Sequence, residues 1–402
     1  MKQLRHGTAP RSRCVARAAT RVSSTLAWFC LAAAIAASPA AAQGAASAEE
    51  AILEGDFATG VLIDAETGEV LLEKMAHEQR EPASMVKMMT ELLILEKIEE
   101  GGIRLTDTVT VSARASRMGG SQVYLKHNER FTVEELLMAL AIHSANDAAA
   151  ALAEFHSGSM EAFVDLMNMR AEDLGLENTI FRSVHGLPPD WGQEGDLSTA
   201  YDLAMLGREL TRFPEARRWA ATARAPFRDG EFTLYNPNKL IGRFRGLDGI
   251  KTGHHSGAGY CVTASATRQG HRLIAVVMGC SSDESRATET SRLLTYGFNR
   301  YTQVTLVHGA RQPIEEPYPV EDGAEREIAL AYAGPLRVSV LREKEDLVRL
   351  EDRLPEKIMA PIQEGDEVGQ AVAIVDGRVL GEVAIIATET VPRGNFLQRL
   401  LH

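Results

Sequence analysis

Apolar residues change their spacing several times along the chain, and each change predicts a different element. Leu26 to Ala37 is an almost unbroken apolar run. Thr59-Gly60-Val61-Leu62-Ile63 and Val70-Leu71-Leu72 flank the polar Asp64 to Gly68 segment, the pattern of a strand–turn–strand hairpin. Met85 to Glu99 reads as a helix, entered after Pro82 and stopped by Gly101-Gly102. A second helix starts at Thr132, where Glu135 completes a capping box, and runs toward Ala141. Ser144-Ala145-Asn146 forms a turn before another Ala-rich helix. Residues 160–215 read as mostly helical, broken by a Gly/Pro-rich loop over 185–195. From Leu247 the pattern becomes β, over Gly249 to Thr252, Tyr260 to Ala266 and Leu273 to Gly279, followed by a helix around Glu289 to Phe298. Beyond about residue 305, Leu336 to Leu341, Val368 to Val375 and Val379 to Ile386 are alternating or β-branched, with Asp376-Gly377 as a tight hairpin turn.

These patterns divide the chain into a leader over 1–42, a mixed helix-and-strand body over 43–302, a small all-β domain over 303–390 and a short amphipathic tail over 391–402. The leader carries Lys2, Arg5, Arg11, Arg13, Arg17 and Arg21, no acidic residue, and Ala40-Ala41-Ala42 as a small-residue cleavage site before Gln43. Its apolar run is short for a membrane span, so it reads as a secretory signal peptide, with an uncleaved anchor as the alternative. Phe29 precedes Cys30 where a lipoprotein signal needs a small residue, which argues against lipidation. The expected location is the periplasm, with at most peripheral contact with the outer face of the cytoplasmic membrane. In the tail, Phe396, Leu397, Leu400 and Leu401 form an apolar stripe near Arg393 and Arg399. Two helical turns are little to anchor with, so weak or no membrane attachment is expected.

Composition is ordinary for a globular protein and names no function. Charge is more informative. The full chain has a net charge of −12, and removal of the six basic leader residues makes the mature chain six units more negative. So acidic a surface argues against nucleic acid and against nonspecific adhesion to anionic lipid. Cys14 and Cys30 leave with the leader. Cys261 and Cys280 lie in strand-like runs that a hairpin through Arg268-Gln269-Gly270 could bring together, as buried free thiols or as a disulfide. The eleven histidines form no His-Glu-x-x-His or comparable cluster, so no metal and no other cofactor is expected.

Three motifs carry the candidate chemistry: Ser84-Met85-Val86-Lys87, Ser144-Ala145-Asn146 and Lys251-Thr252-Gly253. A helical Ser-x-x-Lys puts hydroxyl and amine one turn apart on one face. Alone it is weak, since roughly one such spacing arises by chance in a chain this long. All three motifs in this order are not easily accidental. Ser84 is then a nucleophile for an amide carbonyl, and Lys87 its base, held neutral by burial or by the charge of Lys251. Ser144 fits a proton relay toward the leaving amine. Asn146 fits an amide contact holding the lysine and the substrate backbone. Thr252 offers a hydroxyl to a substrate carboxylate, and Gly253 lets substrate approach the strand edge without a clash. Backbone N–H groups of Ser84 and His254 would form the oxyanion hole.

With these motifs the chain resembles the low-molecular-mass penicillin-binding, serine-type D-alanyl-D-alanine carboxypeptidases. The resemblance extends to Pro82-Ala83 and Met88-Met89-Thr90 around the nucleophile, and to Asp147-Ala148 after the second motif. It continues through Asn178-Thr179-Ile180-Phe181, Gly186-Leu187-Pro188, Ser198 to Ala204, Asn236 to Leu240, Asp248 to His254 and Ala258-Gly259-Tyr260. It spans residues 50–300. It implies an α/β (α+β) transpeptidase/β-lactamase-like catalytic domain with a small C-terminal all-β domain. It also implies an acyl-enzyme on Ser84, removal of terminal D-alanine from peptidoglycan stem peptides ending in D-Ala-D-Ala, and acylation by β-lactam antibiotics. Arg286 falls where the family has an arginine for the terminal carboxylate. His255-Ser256 departs from the family's usual threonine after the histidine. The alternatives are a β-lactamase, a DD-endopeptidase, or a catalytically idle cell-wall scaffold. The Glu-x-x-x-Asn element that a class A lactamase uses for deacylation has no convincing copy between 160 and 200.

Overall fold

The computed structural model describes residues 49–188 and 191–395. The leader with its cleavage site, and the apolar tail positions Phe396, Leu397, Leu400 and Leu401, lie outside the described residues. A five-stranded antiparallel sheet organises the larger body: β1 (Thr59–Asp64), β2 (Val70–Lys74), β3 (Leu247–His255), β4 (Gly259–Arg268) and β5 (His271–Cys280), in the order β2-β1-β5-β4-β3. The expected first hairpin is present, its turn closed by Asp64, which accepts from the N–H and hydroxyl of Thr67.

The central strand β5 is apolar at every position from Leu273 to Met278, and all six side chains are buried. A strand with that pattern requires cover on both faces. Ile274, Val276 and Met278 enter the core under the helices, whereas Leu273, Ala275 and Val277 pack with Leu293, Leu294 and Phe298 of the last helix of the body. The helices are α1 (Lys87–Glu99), α2 (Val133–His143), α3 (Asn146–Ser157), α4 (Met160–Asp173), α5 (Ala200–Leu210), α6 (Pro214–Ala220) and α7 (Asp283–Arg300). The first six are built between β2 and β3, so the sheet closes around a long helical excursion. Thr132 and Glu135 cap α2 reciprocally, as their spacing predicts.

Three helical expectations need correction. The nucleophile segment opens as a single 3-10 turn over Ala83–Val86 and becomes α-helical at Lys87. Helix α7 begins at Asp283, well before Glu289, because Ser282 and Ser285 form a capping box there. Among the described residues between 174 and 199 there is no helix, so the stretches on either side of the expected 185–195 loop are not helical. Polar side chains claim that backbone instead: Asp196 accepts from the N–H groups of Arg182 and Ser183, Asp202 from that of Asn178, and Asn168 from that of Phe181. Such local bonds compete with a helical ladder.

The C-terminal strands form a second core of their own, with Val307, Val338, Val340, Ala371, Ala373 and Ile385 among its buried members. Within it, β6 (Tyr301–Val307) pairs with β7 (Leu336–Leu341). Asp376 and Gly377 both take positive φ in the two-residue turn joining Glu367–Val375 to Arg378–Ala387. The two cores meet at a buried polar contact. Ser339 of β7 donates to Asp64, and its oxygen lies 2.7 Å from His271 Nε2, itself 3.0 Å from the same carboxylate. Cys261 and Cys280 are buried free thiols, which decides between the two readings of that pair. No helix among the described residues is long and apolar enough to cross a membrane.

Candidate active site

Ser84 sits in the 3-10 turn that α1 extends, and two glycines hold that turn in place. A Cβ on Gly253 of β3 would lie 2.5 Å from the Pro82 carbonyl oxygen and 3.2 Å from Ser84 N. A Cβ on Gly186, whose φ is +74°, would lie 1.9 Å from the Ala83 carbonyl oxygen. Gly253 was expected to make room for substrate. It does line the cleft, but its missing side chain first makes room for the backbone of the nucleophile turn.

Lys87 opens α1 and is completely buried. Its Nζ lies 2.9 Å from Ser84 Oγ and donates to the His185 carbonyl at 2.6 Å. Burial holds its pKa well below the ordinary lysine value, and the charge of Lys251 pushes the same way, against weaker pulls from Asp196 and Asp147. That setting favours the neutral amine, the form that a general base for a serine requires. Burial, with Lys87 and Arg114 nearby, likewise pushes His185 down to about 3, so its ring is uncharged.

Ser144 ends α2 in the left-handed region, at φ 62° and ψ 32°, with its N–H on the Ala139 carbonyl. That turn directs Oγ to Lys251 Nζ, 2.9 Å away, and Lys251 also donates to the Thr252 carbonyl at 3.0 Å. Burial lowers the pKa of Lys251 to about 7, with Glu91 opposing and Arg286 assisting. Asn146 begins α3. The expected bond from its amide to Lys87 is not made, since Lys87 uses Ser84 and His185. Asn146 Nδ2 instead donates to the Gly119 carbonyl at 2.7 Å, while Oδ1 is buried with no partner among the described residues.

Ser84, Ser144, Thr252, Gly253, His254 and Arg286 line one cleft of about 560 Å³, with Lys87, Asn146 and Lys251 behind its wall. His254 stacks on Tyr260 with ring centroids 3.9 Å apart. Arg286 reaches the cleft from α7, its guanidinium held by Asp283 and weakly by the Gly253 and Cys261 carbonyls at 3.4 Å. Two participants escaped sequence reasoning. The His185 carbonyl is a backbone group and leaves no signature in residue types. Glu91, one turn beyond Lys87, is only 3% exposed, and its Oε1 has no partner among the described residues. Burial raises its pKa to about 8. An acid in the middle of an otherwise apolar helical stretch was the available signal.

A hydroxyl beside a neutral amine, with a second serine–lysine pair across one cleft, is equipped for acyl transfer through a serine ester. Comparison with known proteins agrees. The D-alanyl-D-alanine carboxypeptidase family matches residues 45–282, and the C-terminal domain of penicillin-binding protein 5 matches residues 302–393. The chain is 40% identical over 345 residues to D-alanyl-D-alanine carboxypeptidase DacF of Bacillus subtilis, covering 84% of this chain and 87% of that one. Penicillin-binding protein 5 from Haemophilus influenzae superposes with a TM-score of 0.76 at 30% identity, over 85% of this chain and 98% of that one. Penicillin-binding protein D2 from Listeria monocytogenes, in its ampicillin-bound form, gives 0.56 at 30% identity over 61% and 99%.

Proposed function

The chain belongs to the D-alanyl-D-alanine carboxypeptidase family, and on that premise we propose how its own residues carry the reaction. It is a serine-type D-Ala-D-Ala carboxypeptidase. Ser84 attacks the carbonyl of the penultimate D-alanine in a peptidoglycan stem peptide, and Lys87 takes the hydroxyl proton. Backbone N–H groups of Ser84 and His254 face the developing oxyanion. The proton held by Lys87 is relayed through Ser144, which Lys251 holds, to the leaving D-alanine amine, so the C–N bond breaks and both Lys87 and Ser144 return to their starting protonation states. Water then attacks the ester on Ser84, with Lys87 again the base, and frees the shortened stem. Thr252 and Arg286 receive the terminal carboxylate, and Asn146 backs the cleft wall from the start of α3.

One observation carries this reading: a fully buried Lys87 amine 2.9 Å from Ser84 Oγ, with no carboxylate among its hydrogen-bond partners. A β-lactam presents a strained amide to the same hydroxyl, so penicillins acylate Ser84, and the ampicillin-bound Listeria relative supports this. Slow release of the acyl group separates a carboxypeptidase from a β-lactamase. The decisive experiment labels the wild-type chain and Ser84→Ala with a fluorescent penicillin and weighs the products from a defined pentapeptide muropeptide. Label on the wild type alone, with loss of one alanine, is expected. An unlabelled wild type would overturn the assignment of Ser84.

The domain organisation follows as 43–302 for catalysis and 303–390 for an accessory β domain, supported by their separate cores and by the two family matches. The basic, then apolar leader supports export to the periplasm by a cleaved signal peptide, with weak or no membrane attachment of the mature chain. Mature protein in a salt-resistant membrane pellet would count against that attachment reading.

A further inference from the structure

At the junction between the two cores lies an open pocket of about 240 Å³, lined by Arg245, Arg268, Arg342, His271, Thr302 and Gln303 together with Gln269 and Phe298; Arg245 and Arg342 are exposed and Arg268 is half-buried. We propose that it is an anion site that takes a phosphate group. Three guanidinium groups converge there and no carboxylate lines it, in a chain whose net charge is −12. No ion pair among the described residues matches any of the three charges, and the partners of each arginine can be traced.

Arg268 lies over the rings of Phe244 and Phe298, 4.6 and 4.5 Å from their centroids, and donates Nε to the Arg245 carbonyl. Arg342 spends Nε and one terminal nitrogen on the Asn299 and Phe298 carbonyls, in the last turn of α7. That neutralises the negative end of the helix, which would otherwise repel an anion. The guanidinium of Arg245 has no partner among the described residues. Nearby acids are already engaged: Asp64 by His271 and Ser339, Asp248 by Arg272, and Glu343 by Arg300. Burial and the charge of Arg245 both disfavour the charged form of Arg268, as expected where cations converge.

A tetrahedral oxyanion matches this set because planar guanidinium forks present paired N–H donors to its oxygens. Thr302 and Gln303 add neutral donors from β6. The volume is that of about eight waters in the liquid, enough for a phosphate that keeps part of its hydration. The site lies between the catalytic sheet and the C-terminal strands, so an occupant would tie the two together. The phosphate could be free in solution or borne on a lipid headgroup, and the same contacts would serve both.

The test uses the full mature chain in low-salt buffer. Inorganic phosphate is expected to raise the melting temperature saturably beyond chloride at matched ionic strength. Arg245→Gln, which alters no described contact of the side chain, should weaken phosphate binding by about tenfold, and Arg245→Lys should recover part of it. Hydrolysis of D-Ala-D-Ala substrate should be unchanged in both. Co-sedimentation with phosphatidylglycerol but not phosphatidylcholine vesicles, lost in Arg245→Gln, would identify a headgroup as the source. Binding of free phosphate without vesicle retention would identify a soluble one. A phosphate response no larger than that of chloride, or an Arg245→Gln chain that binds as the wild type does, overturns the proposal.

Discussion

Lys87 and Lys251 each place an amine nitrogen 2.9 Å from a serine oxygen, on Ser84 and Ser144, and both amines are buried behind the one cleft that these serines line. Burial is the larger reason that the Lys87 pKa lies well below the ordinary lysine value, and the charge of Lys251 is the second. The relation is testable in sign. Lys251→Met removes a cation that disfavours the charged form of Lys87, so the Lys87 pKa rises. The acid limb of the pH profile for penicillin acylation should therefore move to higher pH. Acylation at pH 7 should fall by about 10²-fold and recover in part on the alkaline side. A lower rate with an unmoved limb would mean that Lys251 acts only through Ser144.

Glu91 makes a prediction about stability. Its carboxyl has an ordinary value of 4.5 and is raised by burial to about 8 in the folded chain. Below 4.5 both folded and unfolded chains hold the proton. Between 4.5 and 8 the unfolded chain releases it while the folded chain keeps it, so stability falls as pH rises through that window. Glu91→Gln removes this loss. Denaturant titrations should find the variant equal to wild type near pH 4 and more stable by a few kcal/mol at pH 8. A difference that does not grow with pH would show that Glu91 is ionised in the fold.

The glycine clamp predicts a separation between the two faces of the nucleophile turn. Gly253→Ala brings a methyl against the Pro82 carbonyl and Ser84 N, so acylation should drop by at least tenfold while the fold survives. Gly186→Ala meets the Ala83 carbonyl at a positive φ and should also cost about 1–3 kcal/mol of stability. Acylation rates and melting curves of the two variants separate these outcomes.

The cysteines provide a chemical check. Burial raises both thiols, Cys280 to about 12, so thiolate is scarce at neutral pH. Iodoacetamide should leave the native chain unmodified at pH 8 and add two groups to the mature chain in denaturant. One disulfide in the mass of the untreated mature protein would contradict the free thiols.

Much of the fold was legible in short-range patterns. The capping box at Thr132 and Glu135, the Asp376-Gly377 turn and the β5 run all depend on neighbours within a few residues. The loop over 185–195 was legible, but the segments flanking it were read as helical, whereas Asp196, Asn168 and Asp202 capture backbone N–H groups there from 13 to 24 residues away. The start of α7 was placed late because Ser282 and Ser285 form a less conspicuous cap than a Ser–Glu pair.

The sequence by itself determined the local chemistry: Ser84 and Lys87 one turn apart, Ser144 at a helix end, and Lys251 on an apolar strand. Those relations follow from backbone geometry, which fixes distances between residues close in the chain. Only the tertiary structure decided the states of these groups. It buried Lys87 under the His185 carbonyl, brought Lys251 close to both Lys87 and Glu91, and packed Gly253 against the turn that carries Ser84. It also turned the Asn146 amide toward Gly119 and drew three arginines to the junction. Protonation and strain depend on solvent exclusion and on charges brought together from distant parts of the chain, which no local spacing specifies.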